Sequence, residues 1–136
     1  MSDYGDYNNA IIEEFRSNAG KVGGDWEGLP LLLLTTSGRK SGKQYTTPVM
    51  YSRDGDRLLV YASQGGAPDH PDWYLNLVAD PHVVVEIGDE RYDATATPLE
   101  GEERDREYAA QAERMPRFAE YGEKTTRVIP VVALQR

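Results

Sequence analysis

The chain has no cysteine, only two histidines and two phenylalanines, and no long apolar run among its 136 residues. Without cysteine, disulfides, thiolate metal sites and cysteine nucleophiles are excluded. His70 and His82 stand twelve positions apart, without the spacing of a metal pair, so no metal site is expected. Basic residues are also scarce: 15 Lys and Arg face 23 Asp and Glu, for a formal charge of −8. A general nucleic-acid binder needs a basic face, and an anionic membrane surface attracts one, so neither partner is expected. The longest apolar run, residues 29–34 with Pro30 inside it, falls far short of the roughly 20 residues that span a bilayer. The first residues, MSDYGDYNNA, carry no basic stretch followed by an apolar one, so no signal peptide is expected. A cytoplasmic protein of one domain over residues 1–136 is the expectation, with an N-terminal helix over 1–18 and the body over 29–134.

What the sequence does hold is a positive stretch on an acidic chain. No acid occurs from Gly28 to Arg53, and that window contains Arg39, Lys40, Lys43 and Arg53. A leucine run and two threonines lead into SGRKSGK, followed by Tyr45, Thr46, Thr47 and Pro48. Small residues leave backbone N–H groups accessible, and Arg and Lys add charge-assisted hydrogen bonds, a combination suited to holding an anion. An exposed hairpin tip with solvated charges is the alternative.

Patterning elsewhere predicts mostly strands. Residues 4–18 place Tyr4, Tyr7, Ile11, Ile12 and Phe15 at helical spacing, predicting an amphipathic helix that packs on the body, covers a site or touches a membrane. Its few cations favour packing. Residues 18–28 hold four glycines and read as a loop. Strands are predicted over 31–36, 46–53 and 57–63, the last two joined at Asp54-Gly55-Asp56. Residues 69–79 predict a helix with Pro71 in its first turn, capped by Asp69 or Asp72. A second hairpin follows over 82–87 and 91–98, then a helix over 100–114 with Tyr108, Ala112 and Met115 inward. Residues 117–124 read as irregular or one further helical turn. The final strand is predicted over 127–134, with Pro130 marking an edge or bulge. About six antiparallel strands, two or three peripheral helices and no βαβ alternation predict an α+β fold built on a small barrel.

The chemistry-bearing motifs are few. SGRKSGK fails the phosphate-binding Walker pattern, because three residues separate Gly38 from Gly42 and Gln44 stands where Ser or Thr would bind magnesium. No glycine cluster opens a helix in a βαβ unit, so a Rossmann site is not expected. Ser63, Gln64, Gly65 and Gly66 close a strand with small residues and can approach a ligand or make a plain turn. Trp73 can stack on a planar ring or belong to the core. Neither histidine sits in a nucleophile context, so no Ser-His-Asp set is expected. What remains is a chain able to hold an anionic, aromatic cofactor that does the reacting itself.

Three segments, GLPLLLLTTSGRKSGKQYTTPVMY, DGDRLLVYASQGGAPDHPDWYLNLVADP and YGEKTTRVIPVVAL, together resemble the deazaflavin-dependent nitroreductase family, whose members use reduced coenzyme F-420 (8-hydroxy-5-deazaflavin). The resemblance implies a split β-barrel related to flavin-binding barrels and hydride transfer to a quinone, nitro compound or similar small-molecule acceptor. It implies that Arg39, Lys40, Ser41, Gly42 and Lys43 line the groove for the phosphate and glutamate tail. Ser63, Gln64, Gly65 and Gly66 would border the phosphate and ring, with Trp73 supporting that wall. Gln64 stands where relatives commonly carry Lys, and Lys43 is the cation available to compensate. Phe118 occupies the position of a proposed proton-donating tyrosine, and Met50 that of another pocket tyrosine. Tyr121 is retained, as proton donor or as packing, and water is the other proton source. A substrate pocket of Met50, Phe118 and Tyr121 is thus expected, with poor nitroimidazole reduction and better reduction of quinone-like acceptors. A non-catalytic carrier of F-420, or of a flavin or haem on the same barrel, is the alternative, as monomer or homodimer and with peripheral membrane contact left open.

Overall fold

The structure, a computed structural model, describes residues 3–24, 27–63 and 66–136. Gln64 and Gly65, two of the expected cofactor contacts, lie outside the described residues, as do the side chains of Tyr4 and Tyr7. Six antiparallel strands close a barrel: β1 (Leu31–Ser37), β2 (Gln44–Asp54), β3 (Arg57–Tyr61), β4 (His82–Ile87), β5 (Glu90–Pro98) and β6 (Val131–Gln135). Their order around the barrel is β1-β2-β3-β6-β5-β4. Among the described residues four helices surround it: α1 (Asp3–Ser17), α2 (Asp72–Ala79), α3 (Gly101–Arg114) and α4 (Pro116–Lys124).

The continuous leucines of β1 follow from cover on both faces. Leu32 and Leu34 point into the barrel beside Val60, Val85 and Val132, whereas Leu31 and Leu33 lie under Ile11, Ile12 and Phe15 of α1. A strand covered on two sides loses the polar alternation of a half-exposed one. β5 keeps that alternation, with Ala94 and Ala96 inward and its other face in water. β6 repeats the β1 pattern, Val132 and Leu134 filling the barrel while Val131 and Ala133 pack outward with Tyr108 and Phe118 from α3 and α4.

Several expectations are corrected. Residues 116–124 form a full helix, with Pro116 in its first turn, so the helices number four rather than two or three. Proline ends α3 because it has no N–H for the ladder, yet suits the opening turn of the next helix. Pro130 marks neither an edge nor a bulge: β6 begins one residue later and pairs with β3 on one side and β5 on the other. The Pro130 carbonyl still accepts from the Ala62 N–H at 2.9 Å. Helix α2 begins at Asp72 with Pro71 as its N-cap and no side-chain cap, so Asp69 and Asp72 do not cap it. At α3, Gln111 on the inward face is buried and bonded to Arg114, where the pattern predicted only Tyr108, Ala112 and Met115.

One ion pair ties α1 to the barrel. Arg16 Nε and Nη2 reach the Glu86 carboxylate of β4 at 2.9 and 2.8 Å, and Glu86 is buried. Arg16→Ala leaves that carboxylate short of its fork partner, and urea unfolding is expected to show a loss of about 1–3 kcal/mol. In a Glu86→Gln background the same change should cost clearly less.

Candidate functional site

The barrel opens where β2 runs past β3. Residues 44–50 of β2 pair with β1, whereas β3 joins β2 only at 51–54. Pro48 falls in the stretch with a strand on one side alone, a place where proline's missing N–H removes no ladder bond. A cleft of about 1020 Å³ fills the gap. That is the size of a large small-molecule site.

The cleft has a charged end and an apolar end. At the first, the 38–43 loop folds on itself: Gly38 N–H donates to Lys43 O at 2.6 Å, Gly42 N–H to Gly38 O at 2.8 Å, and Lys43 N–H to the Ser41 hydroxyl at 3.2 Å. Gly38 is closely packed there: a Cβ would lie 2.7 Å from the Tyr45 ring and 3.2 Å from Lys43 O, so the Tyr45 side chain would have to swing aside. Among the described residues nothing within the chain engages the amides of Lys40 and Ser41. Arg39, Lys40 and Ser41 line the cleft, and the structure does not bring Gly42 or Lys43 to its wall.

Arg39 is anchored as well as charged. Asn76 Oδ1 accepts both its backbone N–H at 3.2 Å and its Nη1 at 2.8 Å, and Asp72 accepts from Nη2 at 3.4 Å. Asn76 is buried and donates in turn to Thr36 Oγ1 at 3.3 Å. The sequence reading missed Asn76, whose signal is an amide on the apolar side of DWYLNLVA. It also missed that folding brings Asp72 into a window free of acids in sequence.

At the apolar end, Met50, Phe118 and Tyr121 come together as expected and are joined by Tyr61. The Phe118 ring centroid lies 5.5 Å from that of Tyr61 and 5.4 Å from that of Tyr121, the latter edge-on. Tyr61 shares a 2.6 Å hydrogen bond with Ser52, and burial pushes its pKa above the ordinary value. Helix α1 adds Asn8, Asn9 and Ile12, so it both packs on the body and covers the site. Trp73 belongs to the barrel core and also lines the cleft.

Ser63 borders the cleft, and Gly66 lies behind it with φ +83°, its N–H donating to Ser63 O at 2.9 Å. A Cβ on Gly66 would come within 2.9 Å of Tyr121 O and 3.0 Å of Lys124 Cβ, so Gly66 sits directly on α4. Arg127, also unforeseen, reaches back to this loop and to His70, whose Nδ1 is 2.9 Å from Nη1. Arg127 can only donate, so His70 Nδ1 accepts and the ring is neutral. Burial first, then Arg127, hold the His70 pKa below its ordinary 6.5, while Asp69 pulls it up. In the unfolded chain His70 therefore takes up a proton at higher pH than in the fold. Stability is expected to fall as pH drops below about 6.5, down to the depressed value. Melting temperatures across pH 8 to 5 should show that decline in the native protein and less of it in His70→Gln.

His82 is far from this chemistry, on β4 beside Asp93 at 3.3 Å. Among the described residues no helix is long and apolar enough to cross a membrane.

Comparison with known proteins agrees with the geometry. The profile of the F420H(2)-dependent quinone reductase family matches residues 9–136. An F420H(2)-dependent quinone reductase of Mycobacterium tuberculosis is 39% identical over 128 residues, covering 90% of this chain and 85% of that one. A solved F-420-H2-dependent reductase, FDR-A, superimposes with a TM-score of 0.70 at 44% identity, over 78% of this chain and 94% of that one. A further solved relative, described as a domain-swapped dimer, is 39% identical with a TM-score of 0.73 and 98% coverage of both chains. An antiparallel barrel opened beside a cationic loop, matched in sequence over nearly its whole length, identifies the lineage: the chain belongs to the F420H(2)-dependent quinone reductase family.

Proposed function

We propose that this protein, as a single domain, uses reduced coenzyme F-420 to reduce a quinone-like acceptor in the cleft beside β2. The observation that carries the reading is the pairing, in one cleft, of a cationic loop with bare amides and an aromatic, apolar pocket. The fit to the coenzyme rests on donor chemistry: its phosphate and glutamate tail needs cations and N–H groups, and its planar ring needs an apolar wall. Arg39, Lys40 and Ser41 would hold the tail, Ser63 would border the phosphate and ring, and Trp73 would support the wall. When bound, reduced F-420 supplies a hydride, an electron pair with one proton, so the chain itself needs no metal or thiol.

The remaining work falls to the chain's own groups. Asn76 fixes Arg39, so the charged end is set before ligand arrives and little ordering cost remains at binding. Met50, Phe118 and Ile12 keep the acceptor side apolar and exclude water. Reduction of a quinone also consumes a proton, and Tyr121, which lines the acceptor pocket, would be its donor, with water as the second source. Phe118 cannot donate, which favours quinones over nitro compounds among the acceptors. Steady oxidation of reduced F-420 in the presence of menadione tests the reading. Turnover is expected, whereas tight binding with none would mark a carrier of F-420.

A further inference from the structure

We propose that Arg127 is the positioning residue of the cofactor-bordering loop, setting the place of Ala62, Ser63 and Ala67 and, through Gly66, that of α4. Its guanidinium meets four acceptors on one segment. Nη2 donates to Ser63 O at 2.7 Å, Nε to Ala67 O at 2.9 Å, and Nη1 to Ala62 O at 3.1 Å and His70 Nδ1 at 2.9 Å. All four lie 57 to 65 residues away in sequence. Arginine's usual surface partner is a carboxylate, yet the hydrogen-bond partners of Arg127 among the described residues are all neutral. A part-buried cation that donates to three main-chain oxygens fixes the path of the chain, with Asp69 as its electrostatic counterpart nearby.

The segment needs such a fixture. Gly66, Ala67 and Pro68 offer no side chain long enough to anchor themselves to the barrel. Each carbonyl turned toward Arg127 also orients its peptide. Because a trans peptide sets N–H opposite C=O, the Ala62 carbonyl's direction aims the Ser63 N–H away from the guanidinium. Ser63 O accepts twice, from Arg127 and from the Gly66 N–H, so one guanidinium also holds the turn that brings Gly66 against Tyr121. Arg127 is absent from the cleft wall and acts through the residues it holds.

The proposal rests on the F-420 reading, so its test has a readout free of the coenzyme. Amide hydrogen exchange is compared in the native protein, Arg127→Met and Arg127→Lys, followed by titration of each with oxidised F-420. In both variants the peptides over 63–70 and 118–124 should exchange at least about tenfold faster, with strands β1 and β4 unchanged. The F-420 dissociation constant should rise about tenfold or more, and Lys should not rescue it, since one ammonium cannot reach four spread acceptors. A merely structural arginine would lower the melting temperature and leave the dissociation constant of the folded fraction alone. Should Arg127→Met fail to fold, His70→Ala removes one acceptor and should give the same signs at smaller amplitude. Native exchange over 63–70, or native affinity, in the folded variants overturns the proposal alone. Native protein that does not bind F-420 overturns the cofactor reading, and the proposal with it.

Discussion

Removing Arg39 and Lys40 together is expected to weaken F-420 binding by at least about 30-fold. Each charge-assisted contact to a phosphate or carboxylate contributes roughly 1–3 kcal/mol, and each 1.4 kcal/mol is tenfold in affinity. The two single variants should differ in kind. Lys40 is exposed and has no hydrogen-bond or ion-pair partner among the described residues, so Lys40→Ala reads direct attraction to the ligand and should be sensitive to salt. Arg39→Ala also cuts the tie to Asn76 and Asp72, so it removes a donor and frees the loop at once. Because the residues are neighbours, the double variant should depart from the sum of the singles. Fluorescence titration of the coenzyme measures all three, and unchanged constants would show that the loop's charges serve no ligand.

Gly66→Val should have the largest effect on the protein itself, about 2–5 kcal/mol of stability together with loss of most F-420 affinity. Gly66 occupies the left-handed region at φ +83°, which costs a side chain roughly 1–2 kcal/mol. Its Cβ would also strike Tyr121 O and Lys124 Cβ, and overpacking of that kind costs roughly 1–3 kcal/mol more. Relieving the strain moves Gly66 off α4, which shifts Ser63, its hydrogen-bond partner, on one side of the cleft and Tyr121 on the other. Chemical denaturation and titration should therefore fail together. A valine variant that kept native affinity would show that the segment and α4 are independent of the ligand.

The sequence carried local features well and long-range ones poorly. The leucines of β1, the Asp54-Gly55 turn and the alternation of β5 each encode their element within a few residues, so their patterns predicted strands that the barrel contains. The full length of α4 was hidden because Gly122 and the charges around Phe118 and Tyr121 blur its period. Pro130 misled for a related reason: its lack of an N–H was read as an edge, whereas the strand simply begins after it. In the site, Arg39, Lys40, Ser41, Ser63, Trp73, Met50, Phe118 and Tyr121 were named from motif and resemblance, and all line one cleft. Asn76, Tyr61 and Arg127 were not. Their roles depend on partners 9 to 65 residues distant, which no spacing rule within one segment reveals.

The most direct measurement is a structure of the protein with F-420 bound. The coenzyme's phosphate should lie within hydrogen-bond reach of Lys40, Ser41 and the Ser63 segment, with its ring along the wall that Trp73 supports and one face open toward Met50 and Tyr121. A complex in which the coenzyme sits outside this cleft, leaving Arg39 and Lys40 in water, would contradict the account.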